Sequence, residues 1–454
     1  MINYFQELCA HIPEMMVRYR VPGLAFGMYH HGAREAAGFG VSSIANGLPV
    51  TPETLFQVGS ISKTVLGTAA MRLVERGKLD LDAPIRTYLP KFKLQDKRAA
   101  AKASMRHLFT HTGGWMGDYF NDIGWGDDAL ARMLDLIAGL PQVTPLGQIF
   151  SYNNAGFNIA GRVIEVITGQ SYEQAIKTLV FDPLHMTNSL FFPWEVMVRD
   201  FAVGHVSPHD ETQPVQVGTP WALGRSSHPA GGVVASVNDM LTYAQFHLGD
   251  GRAHGKRILK KSSLSAMQTE QVNAHSHGDA WGLTWSIRRV GSARLIRHGG
   301  ATRGFNADFR MVPAAGLALV TLTNSGRGSE LYDELTALAL KLMLNAEKPA
   351  PAFITLAPAT LTAMVGDYDA PLDWLKVRKK GAQLTIQSIP KGGFPNPDSP
   401  PTGPALPTGV MAFESDSRAT VLDGGLQGSR VEVIRDAQGQ VTFVHVSGRA
   451  HAKL

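Results

Sequence analysis

Predicted strands lie at both ends of the first 345 residues of this chain, and predicted helices fill the middle. Residues 24–30 and 36–41 have the patterning of two strands joined by a turn. Residues 80–240 carry mainly helical spacing interrupted by loops. Further strand patterns occur at residues 281–287, 293–297, 304–312 and 317–323. We therefore predict an α+β fold, in which helices flank an antiparallel sheet and a helical subdomain, at about residues 80–240, is inserted.

The pattern changes in the C-terminal part of the chain. Residues 346–358 contain three prolines and are predicted to form a linker. Over residues 359–454, short strand patterns alternate with turns rich in Gly, Asp and Pro, which is typical of a small barrel or sandwich. We therefore predict one domain over residues 1–345 and a second, all-β domain over residues 359–454.

Composition limits the class of protein. The apolar share of 44% and the charged share of 18% are typical of a soluble globular protein, and the net charge of +5 is spread without a nucleic-acid-binding array. No run approaches the ~18 consecutive apolar residues of a membrane span. The N-terminus lacks the features of a signal peptide, and the single cysteine, Cys9, excludes an intrachain disulfide. We therefore expect a cytoplasmic protein that does not bind nucleic acid and has no membrane span.

The segment around Ser60 carries the first candidate chemistry. Ser60 and Lys63 are three residues apart at the predicted start of a helix, so their side chains share one face. A serine hydroxyl beside a lysine amine can act as a nucleophile with its base, provided that the pKa of the amine falls far below ~10.4. The first-turn N–H groups favour developing negative charge beside Ser60. By itself, this spacing also fits a capped surface helix.

Two later segments offer partners for Ser60. Tyr152 could supply a phenolic oxygen to a proton path, and Asn154 could offer an amide to a substrate carbonyl or to Lys63. His298 offers a donor or a mild base, and the two glycines that follow it, Gly299 and Gly300, allow a ligand to approach the backbone.

In order and approximate spacing, three motifs resemble those of the serine β-lactamase and penicillin-binding-protein superfamily: Ser60-Ile-Ser-Lys63, Tyr152-Asn-Asn154 and His298-Gly-Gly300. The likeness is to its class C branch, with D-aminopeptidases, D-alanyl-D-alanine carboxypeptidases and carboxylesterases. It covers about residues 15–345, and the C-terminal part loosely resembles the lipocalin-like β-domain of some members. Flanking segments also match: Leu108-Phe-Thr-His-Thr-Gly-Gly114, Asp182-Pro-Leu-His-Met-Thr187, Pro229-Ala-Gly-Gly-Val-Val-Ala-Ser236 and Leu322-Thr-Asn324.

The resemblance implies a role for each of these residues. Ser60 would attack a carbonyl and form an acyl-enzyme, while Lys63 and Tyr152 share the proton transfers. Asn154 would orient the substrate, and the backbone N–H groups of Ser60 and Ala301 would form an oxyanion hole. The implied activity is that of a serine hydrolase that needs no cofactor and acts on a small molecule or a peptide.

The third motif departs from the pattern of many β-lactamases and transpeptidases. They have a lysine that grips a substrate carboxylate at the position of His298. A histidine is mostly neutral at pH 7, which favours esters or amides, including D-amino-acid peptides, over β-lactams. Three alternatives remain open: a β-lactamase or penicillin-binding carboxypeptidase, an acyltransferase or peptide-cyclising thioesterase, and a binding or sensor protein without turnover. The C-terminal domain could cap the cleft, set specificity or mediate assembly.

Two further groups of residues raise hypotheses of their own. His275, His277 and Asp279 have the spacing that begins a metallo-β-lactamase motif, but Ala280 stands where a histidine should follow, so we expect no metal. Aromatic residues are predicted to line an apolar pocket beside Ser60, drawn from Trp115, Tyr119, Phe120, Trp125, Trp221, Trp281 and Trp285.

Overall fold

The computed structural model describes residues 3–208, 212–218, 221, 223–392, 399–401 and 403–454. The strands of the first 345 residues are, in chain order, β1 (Gly23–His30), β2 (Ala33–Gly40), β3 (Phe56–Gln57), β4 (Ser189–Leu190), β5 (His205–Val206), β6 (Gln216–Val217), β7 (Val234–Ala235), β8 (Arg252–Ala253), β9 (Lys256–Arg257), β10 (Ala280–Trp281), β11 (Ser286–Val290), β12 (Ala293–Thr302), β13 (Phe305–Val312) and β14 (Leu317–Thr323).

The helices lie between and around these strands. In chain order they are α1 (Tyr4–Tyr19), α2 (Ser62–Glu75), α3 (Lys97–Lys102), α4 (Met105–Phe109), α5 (Ala129–Ile137), α6 (Asn154–Thr168), α7 (Tyr172–Ile176), α8 (Asp182–Leu184), α9 (Pro193–Val196), α10 (His228–Gly231), α11 (Val237–Leu248), α12 (Lys261–Gln268), α13 (Gly328–Leu344) and α14 (Pro358–Met364).

A seven-stranded antiparallel sheet joins the two ends of this region, in the order β10-β11-β12-β13-β14-β1-β2. β1 pairs with β14, with Phe26 opposite Thr321, so strands almost 300 residues apart along the chain are neighbours. Both strands are largely buried because helices cover both faces. The predicted α+β fold, with an antiparallel sheet built from both ends, is confirmed.

Alternate residues of the central strands pack against different helices. Phe26 and Leu319 belong to a core shared with α1 and α13, whereas Ala25 and Val320 belong to the core shared with α2 and α11. This alternation follows from the two-residue side-chain period of a strand. α2, which begins just after Ser60, therefore packs on the face of the sheet opposite α13.

The prediction of a single strand at residues 281–287 is wrong. β10 and β11 instead form a hairpin, in which Ala280 lies opposite Ile287. Thr284 lies in the left-handed region with a φ of 69°, which an extended strand cannot include.

The inserted region between β3 and β7 is rich in helices, as predicted. α6 begins where the Asn153 side chain accepts a hydrogen bond from the Gly156 N–H, and it ends at Gly169, which has a φ of 68°. β3, β7 and β4 form a small sheet that ties this region to the segment before Ser60.

The C-terminal strands close into an eight-stranded antiparallel barrel, which settles the choice between barrel and sandwich. Apolar residues at alternate positions, such as Leu375 and Val377, fill its core. Its strands are β15 (Gly366–Asp369), β16 (Asp373–Lys380), β17 (Gln383–Pro390), β18 (Gly409–Phe413), β19 (Arg418–Val421), β20 (Arg430–Arg435), β21 (Val441–Val446) and β22 (Arg449–Lys453).

The barrel packs against the rest of the chain through β21, β22 and the turn between them. The Tyr152 N–H donates to the Gly448 carbonyl at 2.9 Å, and His445 Nε2 donates to the Phe150 carbonyl at 3.0 Å. These contacts place the barrel directly behind the Tyr152 segment. Among the described residues, no helix has both the length and the apolar character needed to cross a membrane.

Candidate active site

Ser60 lies in a 3-10 turn, Gly59–Ile61, that leads directly into α2. Gly59 has a φ of 52°, and a Cβ on it would lie 2.6 Å from the backbone nitrogen of Ala301. A glycine is therefore required for this turn to approach β12 so closely. The result is a half-buried serine at a helix N-terminus, against the end of a strand.

Lys63 is fully buried beneath Ser60. Its Nζ lies 3.0 Å from Ser60 Oγ and 2.5 Å from the carbonyl oxygen of Ala230, on α10. Burial lowers the pKa of Lys63 well below its usual value; Arg449 lowers it further, and Asp118 opposes the shift. A neutral amine can donate one hydrogen to Ala230 and still accept the proton of Ser60.

Tyr152 is also buried next to Ser60. Its hydroxyl is hydrogen-bonded to Ser60, and Lys63 Nζ lies 5.0 Å from the centroid of its ring. Burial raises the pKa of Tyr152, and the hydrogen bond with Ser60 only partly offsets this shift. The phenol is therefore protonated at neutral pH.

β12 lies against the Ser60 turn at the segment that begins with His298. A Cβ on Gly300 would collide with the Val58 carbonyl and lie 3.0 Å from the Ser60 nitrogen, so this position needs glycine. The Ser60 turn and the Gly300–Ala301 segment of β12 are therefore in close contact through their backbones. By contrast, a Cβ on Gly299 would meet only ordinary contacts of 3.5 Å or more.

His298 is buried and neutral. Burial lowers its pKa to about 3, with Lys63 adding to this effect. Its Nδ1–H donates to the Gly299 carbonyl at 2.6 Å, so Nε2 is left as a buried acceptor that has no partner among the residues the structure describes. The histidine therefore cannot take over the role of a lysine that grips a carboxylate.

Asn154 contacts residues that the sequence did not single out. Its Nδ2 donates to Asp118 Oδ1 at 2.7 Å. Asp118 also accepts from Arg449 Nε, at 2.6 Å, which reaches across from β22 of the barrel. The Arg449 guanidinium lies 4.8 Å from the Tyr152 ring centroid. Asp118 and Arg449 lie 331 residues apart along the chain, and neither belongs to a motif, so no sequence signal could have paired them.

These residues line one cavity of about 920 Å³. Its wall includes Ser60, Tyr152, Asn154, the 298–301 segment, Arg449 and, from the barrel, Leu372. Of the seven predicted aromatic residues, Phe120, Trp221 and Trp281 line it, which confirms the prediction for these three. Trp115, Tyr119 and Trp285 are buried in the core, and Trp125 packs against Trp194.

The candidate metal ligands do not converge. His275 Nδ1 lies 3.5 Å from Glu432, and Asp279 pairs with Arg430, whereas the ring of His277 stacks on Phe150. Within the described parts of the chain, no group of three or more His, Cys, Asp or Glu side chains is arranged to hold a metal ion.

Comparisons with known proteins agree with this geometry. The family model described as Beta-lactamase matches residues 8–343, which is most of the chain. The chain belongs to the Beta-lactamase family. It is 32% identical to penicillin-binding protein 4 of Amycolatopsis lactamdurans, over 71% of this chain and 85% of that protein. It is 27% identical to esterase EstB of Burkholderia gladioli, over 63% of this chain and 81% of that protein.

Solved structures extend the likeness to the barrel. The structure of SurE covers 99% of both chains with a TM-score of 0.79 and 26% identity. A second structure, of SurE with D-Leu, also covers 99% of both chains, with a TM-score of 0.78 and 25% identity. The family model ends before β15, so these matches, unlike the family model, include the barrel. The predicted membership of the superfamily is confirmed.

Proposed function

We propose that this protein is a serine hydrolase that cleaves ester or amide bonds through an acyl-enzyme on Ser60. The observation that carries the proposal is the fully buried Lys63, with its Nζ 3.0 Å from Ser60 Oγ. Burial favours the uncharged form of the amine, which can remove the serine proton. Relatives named esterase and beta-lactamase support this class of reaction.

The proposed reaction has two halves. Ser60 Oγ attacks the carbonyl carbon, and its proton passes to Lys63 Nζ. The carbonyl oxygen becomes an oxyanion that accepts hydrogen bonds from the backbone N–H groups of Ser60 and Ala301. As the C–O or C–N bond breaks, the leaving group takes the proton back from Lys63, directly or through the Tyr152 hydroxyl. Water then attacks the acyl carbon, and its proton passes to Lys63 Nζ. The bond between this carbon and Ser60 Oγ breaks, Oγ takes the proton from Lys63, directly or through the Tyr152 hydroxyl, and the acid is released.

The surrounding residues suggest the class of substrate. In this proposal, Asn154 orients the substrate next to Asp118 and Arg449. A neutral His298, with its Nδ1–H already donated to Gly299, gives no charge at the position where many β-lactamases hold the β-lactam carboxylate with a lysine. The SurE structure with D-Leu supports substrates that contain D-amino acids. We therefore favour esters and D-amino-acid amides or peptides over β-lactams.

A substrate panel on the purified full-length chain tests this proposal. The panel contains p-nitrophenyl butyrate, D-alanine p-nitroanilide, a D-Ala-D-Ala peptide and nitrocefin, each with wild type and Ser60→Ala. We expect turnover of the ester and of at least one D-amino-acid substrate, slow or no turnover of nitrocefin, and no turnover by Ser60→Ala. If wild type turns over none of the four and forms no acyl-enzyme with them, the protein is instead a binding or sensor protein. Preferred turnover of nitrocefin would favour the β-lactamase alternative.

Acyl transfer to an amine is a second candidate. The cavity of about 920 Å³ exceeds what one small acyl group needs, and Leu372 and Arg449 of the barrel form part of its wall. A second substrate could therefore approach the acyl-enzyme in place of water. Product analysis by mass spectrometry, with and without an added D-amino acid, distinguishes the two reactions, because transfer yields a new amide and hydrolysis yields only the acid.

A further inference from the structure

Three arginines occupy neighbouring positions on one face of the main sheet, at the end of the cavity. Arg297 of β12 lies opposite Arg310 of β13 and opposite Ser286 of β11. Arg288 follows Ser286 by two residues, so it points to the same face. This is the face covered by α13, which contributes Tyr332 to the cavity wall beside Ser286, Arg288 and Arg297.

The described carboxylates on this face form ion pairs with two of the three guanidinium groups, those of Arg297 and Arg310. Asp308 pairs with Arg297 at 3.1 Å and also with Arg310. Arg310 has a second acidic partner, Asp333. Arg288 pairs with no carboxylate in the described parts of the chain.

Arg288 and Ser286 each have a hydrogen-bond donor without an acceptor in the described chain. Arg288 donates to the His277 carbonyl at 2.6 Å, but its Nε is buried and bonds to nothing within the described chain. Ser286 Oγ, also buried and on the cavity wall, likewise bonds to nothing there. A buried donor without a partner costs free energy, and a buried charge without a counter-ion costs more.

The charges around Arg288 also favour the binding of an anion at this position. Burial is the main reason why the pKa of Arg288 is lowered to about 10, and the positive charges of Arg297 and Arg310 contribute to this shift. The other arginines of the cavity differ, because Arg449 is paired with Asp118 and Arg303 is exposed to solvent. A bound anion would therefore be stabilised most by a position beside Arg288.

We propose that Arg288, Arg297 and Ser286 form a subsite for an anionic group of the substrate, a carboxylate in the first instance. This inference rests on the proposed function in one respect, which is that the substrate occupies the same cavity as Ser60. The anion would accept from the guanidinium of Arg288 and from Ser286 Oγ, and Arg297 would add charge from the adjacent strand. A substrate with a free carboxylate away from the bond that is cleaved would be preferred over its neutral counterpart.

Matched ester pairs test the subsite on the full-length protein. For the acyl side, mono-p-nitrophenyl glutarate is compared with p-nitrophenyl butyrate; for the leaving-group side, 4-carboxyphenyl butyrate is compared with phenyl butyrate. We expect at least one anionic ester to have a kcat/KM about tenfold higher than its neutral partner. In Arg288→Gln, this preference should fall about tenfold, and Arg288→Lys should retain part of it.

Arg289→Gln is the matched control. Arg289 lies on the same strand but on the opposite face, is exposed and does not line the cavity. It carries the same charge, so its loss should leave the preference ratio unchanged. Equal kcat/KM values within both pairs for wild type would overturn the subsite, as would a preference that survives in Arg288→Gln.

A binding measurement separates failure of the subsite from failure of the proposed function. If no ester is hydrolysed, including the neutral ones, the proposed function fails, and calorimetric titration with glutarate then tests the subsite alone. Binding by wild type and Arg289→Gln but not by Arg288→Gln would support the subsite. Absence of binding by wild type, or equal binding by Arg288→Gln, would contradict it.

Discussion

At the scale of single residues, close packing around Ser60 governs the candidate chemistry. Gly59 and Gly300 allow the Ser60 turn and β12 to meet, and each would carry a colliding Cβ if substituted. The lowered pKa of Lys63 follows mainly from its burial. The proposed mechanism thus depends on backbone approach and desolvation as much as on the identity of the nucleophile.

Gly300→Ala tests this dependence. Its Cβ would collide with the Val58 carbonyl and push β12 away from the Ser60 nitrogen, which would disturb the proposed oxyanion hole. We expect kcat for an ester to fall by about 10²–10³, the usual effect of losing one such donor. Gly299→Ala, whose Cβ meets only ordinary contacts, should lose far less activity. Similar losses in both variants, with unchanged melting temperatures, would contradict this explanation.

At the scale of elements, a buried ionic group holds α10 in position behind Lys63. His228 Nδ1 lies 2.7 Å from Glu173 Oε1, and Arg225 pairs with the same carboxylate at 3.0 Å. Two residues after His228, the Ala230 carbonyl accepts from Lys63. α7, which carries Glu173, therefore stabilises the position of the segment that accepts a hydrogen bond from Lys63.

Replacing Glu173 by Gln should lower the free energy of unfolding by about 3 kcal/mol at pH 7, because it removes the charge of a buried pair. Burial raises the pKa of Glu173, but hydrogen bonds from His228 and Arg225 outweigh it and hold the pKa at about 2. A carboxylate with a lowered folded-state pKa stabilises the fold above its unfolded pKa, near 4.5. The difference between wild type and variant should therefore shrink as the pH falls from about 5 to 2.

Urea unfolding across this pH range measures the difference. Lys177→Gln is the control, because its ion pair with Asp182 is exposed and should contribute less than about 1 kcal/mol. A difference for Glu173→Gln that stays constant from pH 7 to pH 2 would show that the loss arises from packing and not from the charge.

At the scale of the whole molecule, the barrel supplies part of the cavity. Arg449 reaches Asp118 and the Tyr152 ring, and the Gly448 carbonyl accepts from the Tyr152 backbone. The positive charge of Arg449 lowers the pKa of Lys63, whereas Asp118 raises it. We infer that the barrel helps to set the pH range over which the amine is neutral.

Arg449→Gln should therefore shift the pH profile of ester hydrolysis. Removing the cation and leaving Asp118 unpaired should raise the pKa of Lys63, so the acid limb of kcat/KM should move to higher pH. Arg430→Gln is the matched control, because its ion pair with Asp279 also joins the barrel to the sheet domain but does not line the cavity. A uniform drop of kcat/KM in Arg449→Gln, without a shift of the limb, would contradict this role.

Much of this architecture could be predicted from the sequence, because it depends on local patterns. Strand periodicity at both ends of the first 345 residues predicted the main sheet, and the helical spacing after Ser60 placed Ser60 and Lys63 on one face. Thr284 was missed because a left-handed threonine leaves no sequence signal. Asp118 and Arg449 were missed because the contact between them depends on how the barrel packs, which no local pattern encodes.

The central claim is that Ser60 forms the covalent acyl-enzyme, and intact-protein mass spectrometry with a fluorophosphonate tests it most directly. We predict one adduct per chain, which peptide fragmentation assigns to Ser60. Ser62 lies in the same peptide, but it is buried and donates to the Gly59 carbonyl at 2.7 Å, so it should remain unlabelled. Ser60→Ala, with its melting temperature preserved, should take up no label. An adduct on another residue, or labelling that persists in Ser60→Ala, would contradict the account.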